Sequence, residues 1–153
     1  MTPRPFPVPV RARYAETDQM GVVHHAVYPV WFEVARSELA RAVGLAYSEW
    51  ERRGVLLMVT DLECRYRRPA NYDEQVTVWV WVSEVASRRV VFDYRVTGAD
   101  GSVLVEGRTR HLTVDRATGK PTVLVDELRE SLAREPLADH VVAADSSTQP
   151  SRR

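Results

Sequence analysis

The chain has 153 residues, 44% of them hydrophobic, which fits one globular domain with a core of its own. Its 21 basic residues balance 21 acidic ones, so no global charge draws it to nucleic acid or a membrane surface, and an anionic partner has to be met locally. A single cysteine, Cys64, excludes an internal disulfide and a cysteine-based metal cluster; it fits a reducing compartment and reads as a small core thiol.

Met1 to Val8 is proline-rich and expected to be extended. The prolines break any signal-peptide pattern and no apolar run approaches membrane-spanning length, so a cytoplasmic location is expected. A first strand is predicted from about Val10 to Glu16. A long amphipathic helix follows: Val27, Val30, Trp31, Val34, Ala35, Leu39 and Ala42 recur at three- and four-residue steps, with Glu33, Arg36, Glu38 and Arg41 opposite. Its start is placed close to His25, because Pro29 lacks an N–H and fits only a first turn; Gly44 is the expected stop. A short second helix is predicted from Tyr47 to Arg53, with Ser48 as N-cap.

Val55 to Arg67 reads as a long strand, ended by Arg68-Pro69 and a turn at Asn71 to Asp73. Val76 to Val82 sets valines on one side and Thr77, Trp79 and Trp81 on the other, which predicts a central strand covered on both faces, the tryptophans serving as core or interface bulk. Val90 to Val96 alternates as a half-buried strand, and Ala99-Asp100-Gly101 joins it in a hairpin to Val103 through Val114. Gly107 marks a bulge or a close approach of the main helix. Leu124 to Leu132 is expected to form a terminal helix outside the sheet. The domain is expected to span 1–135, with a disordered polar tail over 136–153. The whole is an α+β domain.

The candidate chemistry lies between Tyr14 and Tyr28. Asp18 precedes a helix N-terminus, where free N–H groups and the helix dipole favour negative charge. Water activation beside an oxyanion site suggests hydrolysis; the plainer reading of Asp18 is a turn or cap residue. His24 and His25, being adjacent, are expected to point apart, and His111 and His140 show no useful spacing to them, so no metal site is expected. Glu33 and Arg36 are expected to pair, with Glu33 as an alternative pocket wall. Arg65-Tyr66-Arg67-Arg68 raises nucleic-acid contact as a rival to a solvated strand edge.

Tyr14-x3-Asp18-x2-Gly21-Val22-Val23-x-His25-x2-Tyr28, followed by Trp31-Phe32-Glu33-x-Ala35-Arg36, closely resembles the 4-hydroxybenzoyl-CoA thioesterase family, in its branch of acyl-CoA thioesterases of the Tol-Pal operon type. Arg67-Arg68-Pro69 looks like that family's basic, proline-containing turn. The resemblance covers roughly Val8 to Leu132; Gln19, Met20 and Val27 depart from its usual residues. It implies the hotdog fold, a curved antiparallel sheet of about five strands wrapped round one long central helix. It further implies homodimers with sites at the subunit interface, often paired into tetramers, an acyl-CoA substrate, and no cofactor beyond the substrate's own coenzyme A.

By that resemblance Asp18 falls on the catalytic carboxylate and Tyr14 and His25 on its companions, while the His25 N–H matches the group that polarises the thioester carbonyl. Gly21 and Val23, inside the same motif, are candidate substrate contacts. A thioester is electrophilic and its thiolate leaves readily, so one carboxylate and one oxyanion site suffice. Asp18 acts as general base on water or attacks the carbonyl itself, alternatives the sequence leaves open. Tyr14 either bonds Asp18 or substrate or simply packs. For the phosphates of coenzyme A the candidates are Arg67 and Arg68, assisted by Arg88 and Arg89. The rival functions are a non-catalytic acyl-CoA-binding or nucleic-acid-binding module, and a hotdog hydratase or dehydratase, whose His-with-acid motif is not found.

Overall fold

The computed structural model describes residues 4–44 and 46–134. In chain order the elements are β1 (Phe6–Arg11), a 3-10 turn (Tyr14–Glu16), α1 (Tyr28–Ala42), α2 (Tyr47–Arg52), β2 (Val55–Tyr66), β3 (Gln75–Val85), β4 (Arg89–Thr97), β5 (Val103–Asp115) and α3 (Asp126–Ala133). The strands form one antiparallel sheet in the order β1-β3-β4-β5-β2, so the expected meander β3-β4-β5 is its centre. Two edges remain. β1 carries Pro7 and Pro9, opposite Trp79 and Thr77, while β2 is a 12-residue strand with Leu56, Met58, Val59, Leu62 and Tyr66 exposed.

One face of the sheet is the core. Val76, Val78 and Val80 of β3 and Val90, Phe92, Tyr94 and Val96 of β4 lie buried together with Tyr28, Trp31, Phe32, Ala35 and Leu39 of α1. The three- and four-residue periodicity marks out part of this stripe: Trp31, Ala35, Leu39 and Ala42 are buried as expected, but Val30 and Val34 are exposed, and Tyr28 and Phe32 fill the face instead. Phe32 stacks on Tyr94 with centroids 4.3 Å apart, and a Cβ built on Gly107 would lie 2.4 Å from the Phe32 ring. Gly107 therefore serves a close approach of helix to sheet; the β2–β5 register shifts between Val59 and Asp61 instead. The other face is polar: Arg108 pairs with Asp93 at 2.5 Å, Arg110 with Glu63 at 2.8 Å, and Arg67 with Glu106 at 3.2 Å. Trp79 and Trp81 stand on that face, partly buried, and Arg95 lies 5.9 Å from the Trp81 ring centroid.

Several features differ from expectation, among them the start of β1 at Phe6 rather than Val10. β1 ends at Arg11, because Ala12 and Arg13 turn into the 3-10 segment and Arg13 N–H is captured by Glu16 Oε1 at 2.9 Å. α1 begins at Tyr28, with Val27 as its cap residue and Pro29 in its first turn; His24, Ala26 and Val27 form a separate turn ahead of it. Ala46, not Ser48, caps α2. Leu128 and Leu132 of α3 belong to the core cluster rather than to the outside of the sheet. The expected tail 136–153 and His140 lie outside the described residues.

Candidate active site

Between the 3-10 turn and α1 the chain folds into a narrow loop with two antiparallel arms. Asp18 N–H donates to Val22 C=O at 2.9 Å, and His24 N–H donates to Glu16 C=O at 2.8 Å. The tip is closed by Gly21 N–H to Asp18 C=O at 3.0 Å and by Met20 N–H to Asp18 Oδ1 at 2.8 Å. Gly21 has φ +77°, which an L side chain adopts only with strain, so glycine is what lets the tip close. The loop is fastened to the segment after β2 by Val23 N–H to Ala70 C=O at 2.8 Å and Tyr72 N–H to Gly21 C=O at 3.2 Å.

Glu16 is the anchor that sequence reasoning missed. Its buried carboxylate accepts Trp31 Nε1–H at 2.9 Å through Oε2, and Arg13 N–H and Nε–H through Oε1, tying the loop to the first turns of α1. Two signals were available: an acid three residues after Arg13 at the start of a short turn, and a core tryptophan whose indole N–H needs an acceptor.

Asp18 is partly buried, and among the described residues no donor meets its Oδ2. His24 Nδ1 accepts Ala26 N–H at 3.1 Å and Val27 N–H reaches His24 C=O at 3.0 Å, while among the described residues no acceptor meets the His25 N–H. The loop thus offers a carboxylate oxygen and a main-chain donor, both uncommitted, on its two arms. The two imidazoles do not point apart: their centroids are 4.1 Å apart with the planes 31° from parallel. The 100° step of a helix does not apply to residues in a turn. The His25 carbonyl accepts the Tyr66 hydroxyl at 2.8 Å. Although the Tyr66 ring is half exposed, local desolvation of its hydroxyl and then the contact with Cys64 push that hydroxyl up to about 12, so it remains a donor across ordinary pH; burial likewise raises Tyr28 and Cys64.

Tyr14 lies in the 3-10 turn rather than on a strand. It is 79% exposed, stands edge-on to Tyr72 at 5.8 Å, and among the described residues makes no hydrogen bond to Asp18. Arg67 and Arg68 follow β2 directly, their N–H groups both on Leu104 C=O, close in the chain to the Ala70 to Tyr72 segment that holds the loop. Arg88 and Arg89 lie at the β3–β4 turn, with Arg89 opposite Leu112 and paired to Glu84 at 2.7 Å. Leu104 and Leu112 are eight residues apart on β5, roughly 27 Å at strand rise, so one copy of the chain does not bring the two arginine pairs together. Among the described residues no group of three or more His, Cys, Asp or Glu converges as a metal set.

Residues 12–132 match the model of the Thioesterase-like superfamily. The chain is 38% identical over 112 residues to the putative acyl-CoA thioesterase YneP of Bacillus subtilis (strain 168), covering 73% of this chain and 81% of that one. It is 29% identical over 119 residues to the acyl-CoA thioester hydrolase YbgC of Escherichia coli O157:H7, covering 78% and 89%. Among solved structures, the DHNA-CoA thioesterase of Staphylococcus aureus superposes with a TM-score of 0.79 at 34% identity, over 83% of this chain and 87% of that one.

Proposed function

Since the chain belongs to the Thioesterase-like superfamily, we propose that it hydrolyses an acyl-CoA thioester to a carboxylic acid and coenzyme A at the loop carrying Asp18 and His25. The observation that carries this reading is the pair of uncommitted groups on that loop, Asp18 Oδ2 and the His25 N–H. The thioester oxygen accepts the His25 N–H, which stabilises the charge that develops as the carbonyl is attacked. Asp18 takes a proton from water as water adds, or adds to the carbonyl itself and is released when water opens the anhydride. Either way the C–S bond breaks, the thiolate leaves and is protonated, and Asp18 ends as it began. Met20 N–H on Oδ1 leaves Oδ2 as the reacting oxygen. Tyr14 and Gly21 line the approach, whereas the Val23 side chain is buried in the core and Val23 serves the loop through its N–H on Ala70 C=O. Arg67 and Arg68, with Arg88 and Arg89 from a second copy, meet the phosphates.

The fold is the hotdog arrangement of an α+β domain. We take 1–135 as one domain and α1 as the helix round which the sheet curves, supported by the Phe32 contact at Gly107. A lone copy leaves Met20 80% and Tyr14 79% exposed and β2 bare, which supports a homodimer formed by antiparallel pairing of two β2 edges, with dimers pairing further into tetramers. No helix among the described residues is long and apolar enough to cross a membrane, which fits a cytoplasmic enzyme.

Thiol release from a panel of acyl-CoAs tests the activity, and Asp18→Asn tests the site. The isosteric amide can still accept Met20 N–H through its oxygen, so turnover should fall about 10²-fold or more, the usual contribution of a general base, without loss of fold. Near-normal turnover in that variant rejects the role of Asp18.

A further inference from the structure

His24 is held through its main chain and its ring together. Its N–H donates to Glu16 C=O at 2.8 Å, its C=O accepts Val27 N–H at 3.0 Å, and its ring Nδ1 accepts Ala26 N–H at 3.1 Å. The peptide between His24 and His25 is trans, so its C=O and N–H point in opposite directions. With that carbonyl drawn into the turn by Val27, the His25 N–H faces out of it, and among the described residues no acceptor meets it. The next peptide, from His25 to Ala26, is pinned at both ends: the Tyr66 hydroxyl donates to its C=O at 2.8 Å, and His24 Nδ1 takes its N–H. Fixing the peptide planes on both sides of the His25 Cα fixes the two backbone angles of His25. The His24 imidazole also lies against that of His25, with centroids 4.1 Å apart and the planes 31° from parallel.

We propose that His24 is a positioning residue for the thioester reaction: its Nδ1, by holding Ala26 N–H opposite the Tyr66 hydroxyl, keeps the His25 N–H aimed at the substrate carbonyl. The inference rests on the reading of that N–H as the oxyanion donor. Ala26 and Val27 N–H are both taken within the turn, which leaves the His25 N–H to the substrate. A ring nitrogen that accepts a hydrogen bond carries no proton, so the neutral His24 ring holds its proton on Nε2. The acceptor and the stacked ring are separable by substitution. Asparagine keeps an acceptor, because its amide oxygen reaches the N–H two residues on, but it loses the imidazole; phenylalanine keeps a ring to stack on His25 and loses the acceptor. Since Tyr66 and His24 hold opposite ends of one peptide plane, removing either frees the plane, and removing the second adds little.

The test is kcat and KM for His24→Phe, His24→Asn, Tyr66→Phe and the double variant of His24→Phe with Tyr66→Phe. The substrate is whichever of acetyl-, hexanoyl-, palmitoyl- and benzoyl-CoA the wild type turns over fastest. His24→Phe should lower kcat about tenfold with KM within about twofold, the scale of one hydrogen bond spent on orientation. His24→Asn should recover most of that loss, and the double variant should fall no more than about threefold below either single one. Nitrogen-15 NMR of the wild-type ring should find the His24 proton on Nε2, a readout that stands whether or not a variant folds, and circular dichroism with thermal melting checks the fold of each variant. Wild-type kcat in His24→Phe, an equal loss in folded His24→Asn, a double variant at the product of the single effects, or a neutral His24 ring with its proton on Nδ1 overturns this inference alone. No turnover of any of the four thioesters by the wild type overturns the enzymatic reading and this one with it.

Discussion

Tyr66 is the side chain whose meaning changes most between sequence and structure. In the sequence it is the aromatic within a basic run; in the fold its hydroxyl holds the His25 carbonyl at 2.8 Å and its ring meets Tyr28 edge-on at 5.7 Å. Tyr66→Phe keeps the ring and removes the tether, so kcat should fall about tenfold with KM little changed, and the His25 amide resonance should shift; steady-state kinetics and amide NMR check both. His111 makes a separate prediction. Its proton is bound below about 6.5 in the unfolded chain but only below about 4 in the fold, so the unfolded state binds more protons between those values. Stability should fall as pH drops from 6.5 to 4 and then level off, and in His111→Gln that fall should be shallower; urea midpoints across the range decide it. Asp18 and His25 were legible as residue types in a spaced motif. Glu16 and Tyr66 were not, because what defines them is a partner 15 or 41 positions away in the chain.

At the scale of elements, periodicity located α1 and alternation located β3 and β4, because both signals are local; the buried face of α1 was only half legible, since Val30 and Val34 look apolar enough for it but stand exposed while Tyr28 and Phe32 are buried. α1 starts about a turn later than the sequence suggests: Pro29 restricts a helix start to its own first turn and says nothing about the turn before it. Likewise the first strand stops short of the expected Glu16 because the chain turns at Ala12, a bend fixed by a side-chain bond that alternation does not record. The sequence allows Gly107 either a bulge or a close approach, and the Phe32 ring decides for the second. Gly107→Ala should cost about 1–3 kcal/mol, since a methyl 2.4 Å from that ring forces α1 off the sheet, and pairing it with Phe32→Leu should recover part of the loss. Chemical denaturation of the single and double variants measures the coupling.

For the whole molecule, the order of strands places β1 beside β3 and β2 beside β5, pairings of long sequence separation that no local pattern encodes. The same order leaves the apolar edge of β2 open next to the loop with Asp18, so assembly and turnover should stand or fall together. Leu62→Lys puts a charge on that edge at a half-exposed position and should shift the protein to monomers, with activity reduced about tenfold or more; sedimentation and thiol release on the same sample test the link. A Leu62→Lys monomer with full turnover would place the whole reaction within one copy.

The two margins of the sheet are not equivalent. Pro7 and Pro9 deprive β1 of amide hydrogens where another strand would have to dock, whereas β2 has no proline anywhere along its length. Under the β2–β2 pairing proposed above, recruitment through the sheet happens once and from one flank, so a contact of that kind cannot be repeated into a fibre.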